Sequence, residues 1–245
     1  MTRHGPPENV AKVSVVLPVR DERDNLDPLL AEIRQAFLDV PHEIVVVDDA
    51  SSDGSWEELE RLRTDQMRLV RLEHPAGQSA ALAAGIAESR APIIITMDAD
   101  GQNDPADARK LLAALDGFRG YAAAVGYRVE RRDGIWRRFQ SVVANRVRNW
   151  VTRDRVRDTG CGLKAIRRDA LMGLPRFDGM HRFLPTLLRQ AGARVLEVPV
   201  GDRPRRHGTS KYGMWNRAWR GWRDAMGVRW LGRRAVRYAV RQRSG

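Results

Sequence analysis

The chain has 245 residues, long enough to bury a substantial core as one large domain, and its single cysteine, Cys161, excludes an internal disulfide and fits a reducing compartment. Its 43 Lys and Arg against 31 Asp and Glu leave a net charge of +12. Thirteen of those cations and one acid, Asp224, lie between Arg203 and Arg243, so this segment carries the whole excess and residues 1–202 balance. A neutral body with a cationic tail points to an anionic surface and away from a nucleic-acid-binding protein, whose basic groove and stacking aromatics would be spread over the fold.

Residues 1–12 are short and polar, lack the apolar stretch of a signal peptide, and read as a flexible N-terminus. Residues 13–19, VSVVLPV, form a β-branched run of the buried-strand type, followed by polar residues 20–25 and helical periodicity over 26–37. Residues 43–49 repeat the pattern, a buried strand ending in Asp48 and Asp49, and Ser55 with Glu58 is spaced as a capping box for the next helix. Strands over 67–71, 93–97 and 122–127 alternate with helices over 78–89 and 104–115, the latter opened by Asp104-Pro105. Strand, polar loop and helix recurring in this order predict an α/β fold with a mainly parallel central sheet flanked by helices. Ligands of such sheets sit beyond the carboxyl ends of the strands, where Arg20, Glu22, Asp48, Asp49, Asp98 and Asp100 fall. Asp98 and Asp100, one residue apart at a strand end, offer the hard oxygens that a divalent ion bridging a diphosphate requires. Gly77-Gln78-Ser79 opens a helix whose N-terminal N–H groups can face phosphate.

The tail holds four of the seven tryptophans. Trp215, Trp219, Trp222 and Met226 follow helical spacing and make one stripe, with Arg217, Arg220, Arg223 and Asp224 at the intervening angles. Such a helix can lie in a headgroup region with its indoles near the acyl boundary; the alternative is an amphipathic helix packed on the body with solvated arginines. No apolar run approaches the roughly 20 residues that span a bilayer. The chain thus divides into residues 1–12, a domain over 13–202, and basic, Trp-rich amphipathic helices over 203–245.

In this order and at these separations, LPVRDE (17–22), VVDDASSDGS (46–55) and MDADGQNDP (97–105) resemble family-two glycosyltransferases of the GT-A fold, in particular the polyprenyl-phosphate branch typified by dolichol-phosphate mannose synthase and its bacterial undecaprenyl-phosphate relatives. The resemblance runs from about residue 13 to residue 232. Residues 126–145 are similar to that branch's basic stretch, 158–165 to its small-residue acceptor motif, and 205–213 to its closing loop. Gly162-Leu163 departs from the bulkier residue and aromatic that many relatives carry there, which leaves the sugar open.

The resemblance implies an inverting transferase that moves a sugar from a nucleotide-sugar donor to a polyprenyl phosphate, peripheral on the cytoplasmic membrane face. Asp98, Asp100 and Gln102 would hold Mg or Mn. Pro18, Arg20, Glu22, Asp48, Asp49, Gly77, Gln78 and Asp98 would border the nucleotide sugar. Arg128, Arg138, Ser141 and Lys211 would grip the acceptor phosphate, and the catalytic set would be Asp98, Asp100, Arg128 and Arg138. A separate membrane-protein partner and a homo-oligomer are both left open. Within the same family the rival is transfer to a saccharide hydroxyl in cell-envelope polysaccharide synthesis, with Asp158 as the general base that a hydroxyl needs. Cys161 reads as a small buried residue and not as a reactive thiol.

Overall fold

A computed structural model describes residues 11–129, 145–204 and 214–234, with 214–220 described by backbone alone. The elements run β1 (Val13–Val19), α1 (Arg23–Ala36), β2 (His42–Asp48), α2 (Ser55–Leu62), β3 (Met67–Arg71), α3 (Gln78–Glu88), β4 (Ile93–Thr96), α4 (Pro105–Gly117) and β5 (Ala123–Arg128). They continue with α5 (145–152), β6 (Lys164–Arg167), α6 (Arg168–Met172), a 3₁₀ turn (Met180–Arg182), α7 (Leu184–Gln190), β7 (Val195–Val200) and α8 (Met214–Arg234).

One seven-stranded sheet runs in the order β3-β2-β1-β4-β6-β5-β7, with every pairing parallel except those of β6, which is antiparallel to β4 and β5. The central strands are covered on both faces, which is why they read as continuous apolar runs. Val13, Val15 and Leu17 point toward α1 and α4, joining Leu26, Leu30, Ile33, Leu111 and Leu115. Val16 points to the other side, with Val45, Val47, Leu82 of α3 and Leu184 and Leu188 of α7. This arrangement is the expected α/β fold, a mainly parallel central sheet flanked by helices.

A third apolar cluster lies apart from these two. Ala225 and Val228 of α8 pack against Val151 of α5, Met180 and Phe183 at the 3₁₀ turn, and Leu187 of α7. Trp222, Met226 and Trp230, spaced by four, point outward from the same helix and are 40%, 47% and 57% exposed. Among the described residues no helix is long and apolar enough to cross a membrane.

The capping box expected from Ser55 and Glu58 is absent. Gly54, in the left-handed conformation, precedes α2, and Asp53 Oδ1 accepts from the Ser55 N–H (2.9 Å) and hydroxyl (2.6 Å). Glu58 instead pairs with Arg61 one turn on. A nearer carboxylate two residues before the helix start outcompetes a reach back across a full turn. At α4 the expected cap forms, with Asp104 accepting from Ala106 N–H at 2.9 Å and Pro105 in the first turn.

Candidate active site

The carboxyl ends of β1, β2 and β4 converge on one edge, and a cleft of about 170 Å³ opens there, lined by Pro18, Gln78, Thr96, Asp98, residues 159–162, Lys164, His181 and Arg182 among others. Asp98 follows β4. Its carboxylate accepts from Gln78 Nε2 at 2.7 Å, and its backbone N–H donates to Asn103 Oδ1 at 3.1 Å. Burial and then the neighbouring Asp100 push its pKa up to about 6, against the opposing pull of Lys164 and Arg128. Asp100 closes the turn by accepting from Gln102 N–H at 3.1 Å, with Gly101 at φ +74°. The Gln102 carbonyl in turn accepts from Arg203 N–H at 3.1 Å.

Across the cleft, Thr96 donates its hydroxyl to the Gly162 carbonyl at 2.7 Å, drawing the loop of residues 159–162 onto β4. A Cβ at Gly162 would fall on the Asp98 carboxylate, so glycine there leaves that carboxylate its space. Lys164, fully enclosed, donates to the Cys161 carbonyl at 2.5 Å; burial lowers its pKa while Asp98 and Asp158 favour its charge. Cys161 is buried beside it, its thiol pushed up to about 11 by burial, which fits a packing role.

The two acids at the end of β2, Asp48 and Asp49, are buried. Asp48 accepts from Ser51 N–H and pairs with Arg71 at 3.2 Å. Asp49 takes the N–H groups of Ala76 (2.6 Å) and Gly77 (2.9 Å) and a contact from Arg20 (3.3 Å), pinning the turn before α3. Gly77 stands at φ +88°, a conformation that favours glycine. Glu22 accepts from Asn25 Nδ2 at 2.5 Å, while its N–H donates to Ser55 Oγ at 3.0 Å.

Arg128 is bound in a two-pronged pair with Asp158, at 2.8 and 3.2 Å, with Asp202 3.8 Å away. Burial alone would lower its pKa, but the hydrogen bond and charge of Asp158, with Asp202, raise it above the ordinary guanidinium value. Arg138, Ser141 and Lys211 lie outside the described residues. The structure therefore brings Pro18, Gln78 and Asp98 together in the cleft, with Asp100 in electrostatic reach of Asp98. Asp48, Asp49 and Arg20 do not line the cleft; they fasten the loops that follow β2 and precede α3. Sequence reasoning missed Lys164, His181 and Arg182. Lys164 lies inside the 158–165 motif, but nothing in its spacing marks it as enclosed. His181-Arg182 belongs to no periodic segment.

Among the described residues no group of three or more His, Cys, Asp or Glu gathers to hold a metal by itself. Asp98 and Asp100 still fit a hard divalent ion, which takes one or two protein carboxylates and completes its shell with substrate phosphates and water.

Against known proteins, the family model described as glycosyl transferase family 2 matches residues 14–174. A dodecaprenyl-phosphate galacturonate synthase of Rhizobium johnstonii is 33% identical over 216 residues, covering 85% of this chain and 64% of that protein. An undecaprenyl-phosphate 4-deoxy-4-formamido-L-arabinose transferase of Edwardsiella ictaluri is 36% identical over 207 residues, covering 82% and 63%. The chain thus spans a little under two thirds of the length of these curated relatives. Among solved structures, glucosyl-3-phosphoglycerate synthase from Mycobacterium tuberculosis with Mn2+, UDP and phosphoglyceric acid superposes with a TM-score of 0.70 at 20% identity, covering 93% of this chain and 86% of that one. A mannosyltransferase from Pyrobaculum calidifontis with GDP-Man and Mn2+ gives 0.61 at 23% identity, covering 87% and 61%. The acids at the ends of β2 and β4, the sheet that carries them and the match across most of the body agree: the chain belongs to glycosyl transferase family 2.

Proposed function

We infer that this chain moves a sugar from a nucleotide-sugar donor onto a polyprenyl phosphate, with inversion at the anomeric carbon, on the cytoplasmic face of a membrane. The names of the two relatives support that acceptor class. The observation that carries the choice of phosphate over hydroxyl is the state of Asp158. A hydroxyl acceptor needs a general base, and Asp158 spends its carboxylate on Arg128 and on Gly160 N–H at 3.0 Å. His181, held at about 3, is too weak a base. Asp98 is the one carboxylate among the described residues lining the cleft, and the metal reading claims it. A phosphate monoester is already ionised near neutral pH and needs positioning and charge balance, with no proton removed.

In this reading Asp98, Asp100 and Gln102 hold Mg or Mn, which when bound supplies Lewis-acid stabilisation of the departing diphosphate. Gln78 orients the Asp98 carboxylate, and the first-turn N–H groups of α3 face the donor phosphates. Pro18, Arg20, Glu22, Asp48, Asp49 and Gly77 shape the nucleotide side, the last four through the loops they fasten. Arg128 serves the acceptor side as the anchor of Asp158, beside Arg138, Ser141 and Lys211. The outward Trp222, Met226 and Trp230 of α8, with exposed Val147 and Trp150 of α5, form the face that meets the membrane interface.

The test is incubation with a panel of nucleotide sugars, a polyprenyl phosphate and Mg2+ or Mn2+, reading lipid-linked sugar by mass. Sugar on the lipid phosphate, lost in Asp100→Ala and in excess chelator, is the expected result. Sugar appearing only on a saccharide hydroxyl, or unchanged turnover in chelator, overturns the acceptor or the metal assignment respectively.

A further inference from the structure

Among the described residues, Lys164 and Arg182 line the cleft and Arg128 lies in electrostatic reach of Asp98, and the three differ in how their charge is spent. Arg128 is neutralised by Asp158 and Asp202. Lys164 is enclosed, bonded to the Cys161 carbonyl, and faces Asp98. Arg182 lines the same cleft half-buried, and among the described residues no carboxylate pairs with it. Its Nε donates to His181 Nε2 at 3.3 Å, a neutral partner that adds no counter-charge to the guanidinium.

That contact also fixes the imidazole. Because Nε2 accepts from Arg182, the ring proton sits on Nδ1 and donates to Ser79 Oγ at 2.7 Å. Ser79 Oγ also accepts from Gly179 N–H at 3.0 Å, so the first turn of α3 is joined to the start of the 3₁₀ turn. Gln78, the neighbour of Ser79, holds Asp98. One helix start thus supports an acid on one side of the cleft and a cation on the other.

We propose that Arg182 binds a substrate phosphate in this cleft, and that His181 and Ser79 are positioning residues that aim its guanidinium there. The inference rests on the transferase reading, which supplies two phosphate sources of the same oxyanion chemistry: the diphosphate of the donor and the monoester of the acceptor. Arginine suits either, since its planar fork matches paired phosphate oxygens. Burial, reinforced by Arg182 and Lys164, holds the imidazole neutral down to about pH 3, so the acceptor lone pair on Nε2 persists through the working range.

The test uses the full chain with Arg182→Gln, Arg182→Lys, His181→Gln and the double variant of Arg182→Gln with His181→Gln. Titrations with UDP, GDP and inorganic pyrophosphate in the presence of Mg2+ are combined with lipid-phosphate kinetics and thermal midpoints. Arg182→Gln should weaken one class at least tenfold with little change in midpoint, and Arg182→Lys should recover part of it. A weaker nucleoside diphosphate with unchanged lipid-phosphate KM assigns Arg182 to the donor, and the reverse assigns it to the acceptor. His181→Gln should shift the same parameter, and the double variant should be no worse than Arg182→Gln alone, as expected for residues acting through one contact. Unchanged binding and KM in Arg182→Gln overturn the proposal, whereas a structural role for His181 would lower the midpoint and leave KM alone. If the transferase reading fails while Arg182 binds phosphate, no lipid-linked sugar forms but pyrophosphate binding still falls in Arg182→Gln. A wild type that binds no phosphate compound overturns both.

Discussion

The tightest constraint at the scale of single residues is the absence of a side chain at Gly162. Because a Cβ there would displace the Asp98 carboxylate, Gly162→Ala should lower turnover at least tenfold, equivalent to about 1.4 kcal/mol of barrier. Gly221, in α8 with open space around it, is the control. Its replacement by Ala should leave turnover alone and stabilise the helix by about 0.5 to 1 kcal/mol. Steady-state rates and denaturant midpoints on both variants decide the matter; equal turnover in the two would mean that Asp98 needs no such space. His181 supplies a second prediction. Its imidazole is depressed from 6.5 to about 3 by burial, so between those values the unfolded chain binds a proton that the folded chain does not. Folding stability therefore falls as pH drops through that window. Between pH 7.5 and pH 5 the wild type should lose about 1 to 2 kcal/mol more than His181→Gln. Parallel losses in the two proteins would place the acid sensitivity elsewhere.

At the scale of elements, α3 sits close on β1 and β2 because Gly85 lacks a side chain. A Cβ there would overlap Val16 Cγ1 and lie 3.2 Å from Val47 Cγ2. Gly85→Ala should push α3 outward, cost about 1 to 3 kcal/mol, and disturb Gln78 at the helix start, so that stability and turnover fall together. Helix α8 separates its two faces more cleanly. Val228→Ala should destabilise by about 1 to 3 kcal/mol, since the side chain is fully buried. Replacing Trp222, Met226 and Trp230 with Ser should leave the midpoint within about 0.5 kcal/mol yet make release from anionic vesicles at high salt complete in sedimentation. Retention of that variant on vesicles at high salt would remove these residues from the membrane-facing surface. Of the sequence stripe, Trp222 and Met226 point outward, while the side chains of Trp215 and Trp219 lie outside the described residues. What the stripe lacked was Trp230 and the partner of the inner face, since Ala225 and Val228 are too small to stand out and their neighbours come from three other elements.

At the scale of the whole molecule, the donor half was legible and the opposite wall was not. Strands β1 and β2 run for seven residues and β4 is the unbroken run Ile93–Thr96, each with an acid at its end or two residues beyond, and parallel strands covered on both faces print that pattern directly. Strand β6, as short as β4, begins and ends in cations, and β7 contains a glutamate and a proline, so neither reads as an apolar run. The Arg128–Asp158 pair joins residues 30 apart, a proximity that no local spacing encodes. Charge, by contrast, is a sum and needs no fold: the +12 concentrated in the tail implies that vesicle binding weakens with salt. The wild type should sediment with anionic vesicles at low salt and be only partly released at high salt, its indole contribution persisting; equal binding to neutral vesicles would remove the electrostatic share.

The antiparallel strand β6 also bears on the order in which the molecule assembles. Successive strands from β1 to β4 are joined by 22, 18 and 21 residues, whereas 35 residues separate β5 from β6, which inserts between β4 and β5. Closing that long excursion costs loop entropy before its contacts repay it. The half that carries Asp98 can therefore form first, and the wall that carries Gly162 and Lys164 closes last and opens most readily. Native-state hydrogen exchange should find the amides of β6 released through a partial opening while those of β1 and β2 exchange only with global unfolding. Equal protection in β6 and β1 would make the sheet a single cooperative unit. If the opening is found, the β6 wall of the cleft breathes while the β4 side stays formed, and in the proposed reaction a lipid-linked product would leave through that wall without disturbing the acids at the end of β4.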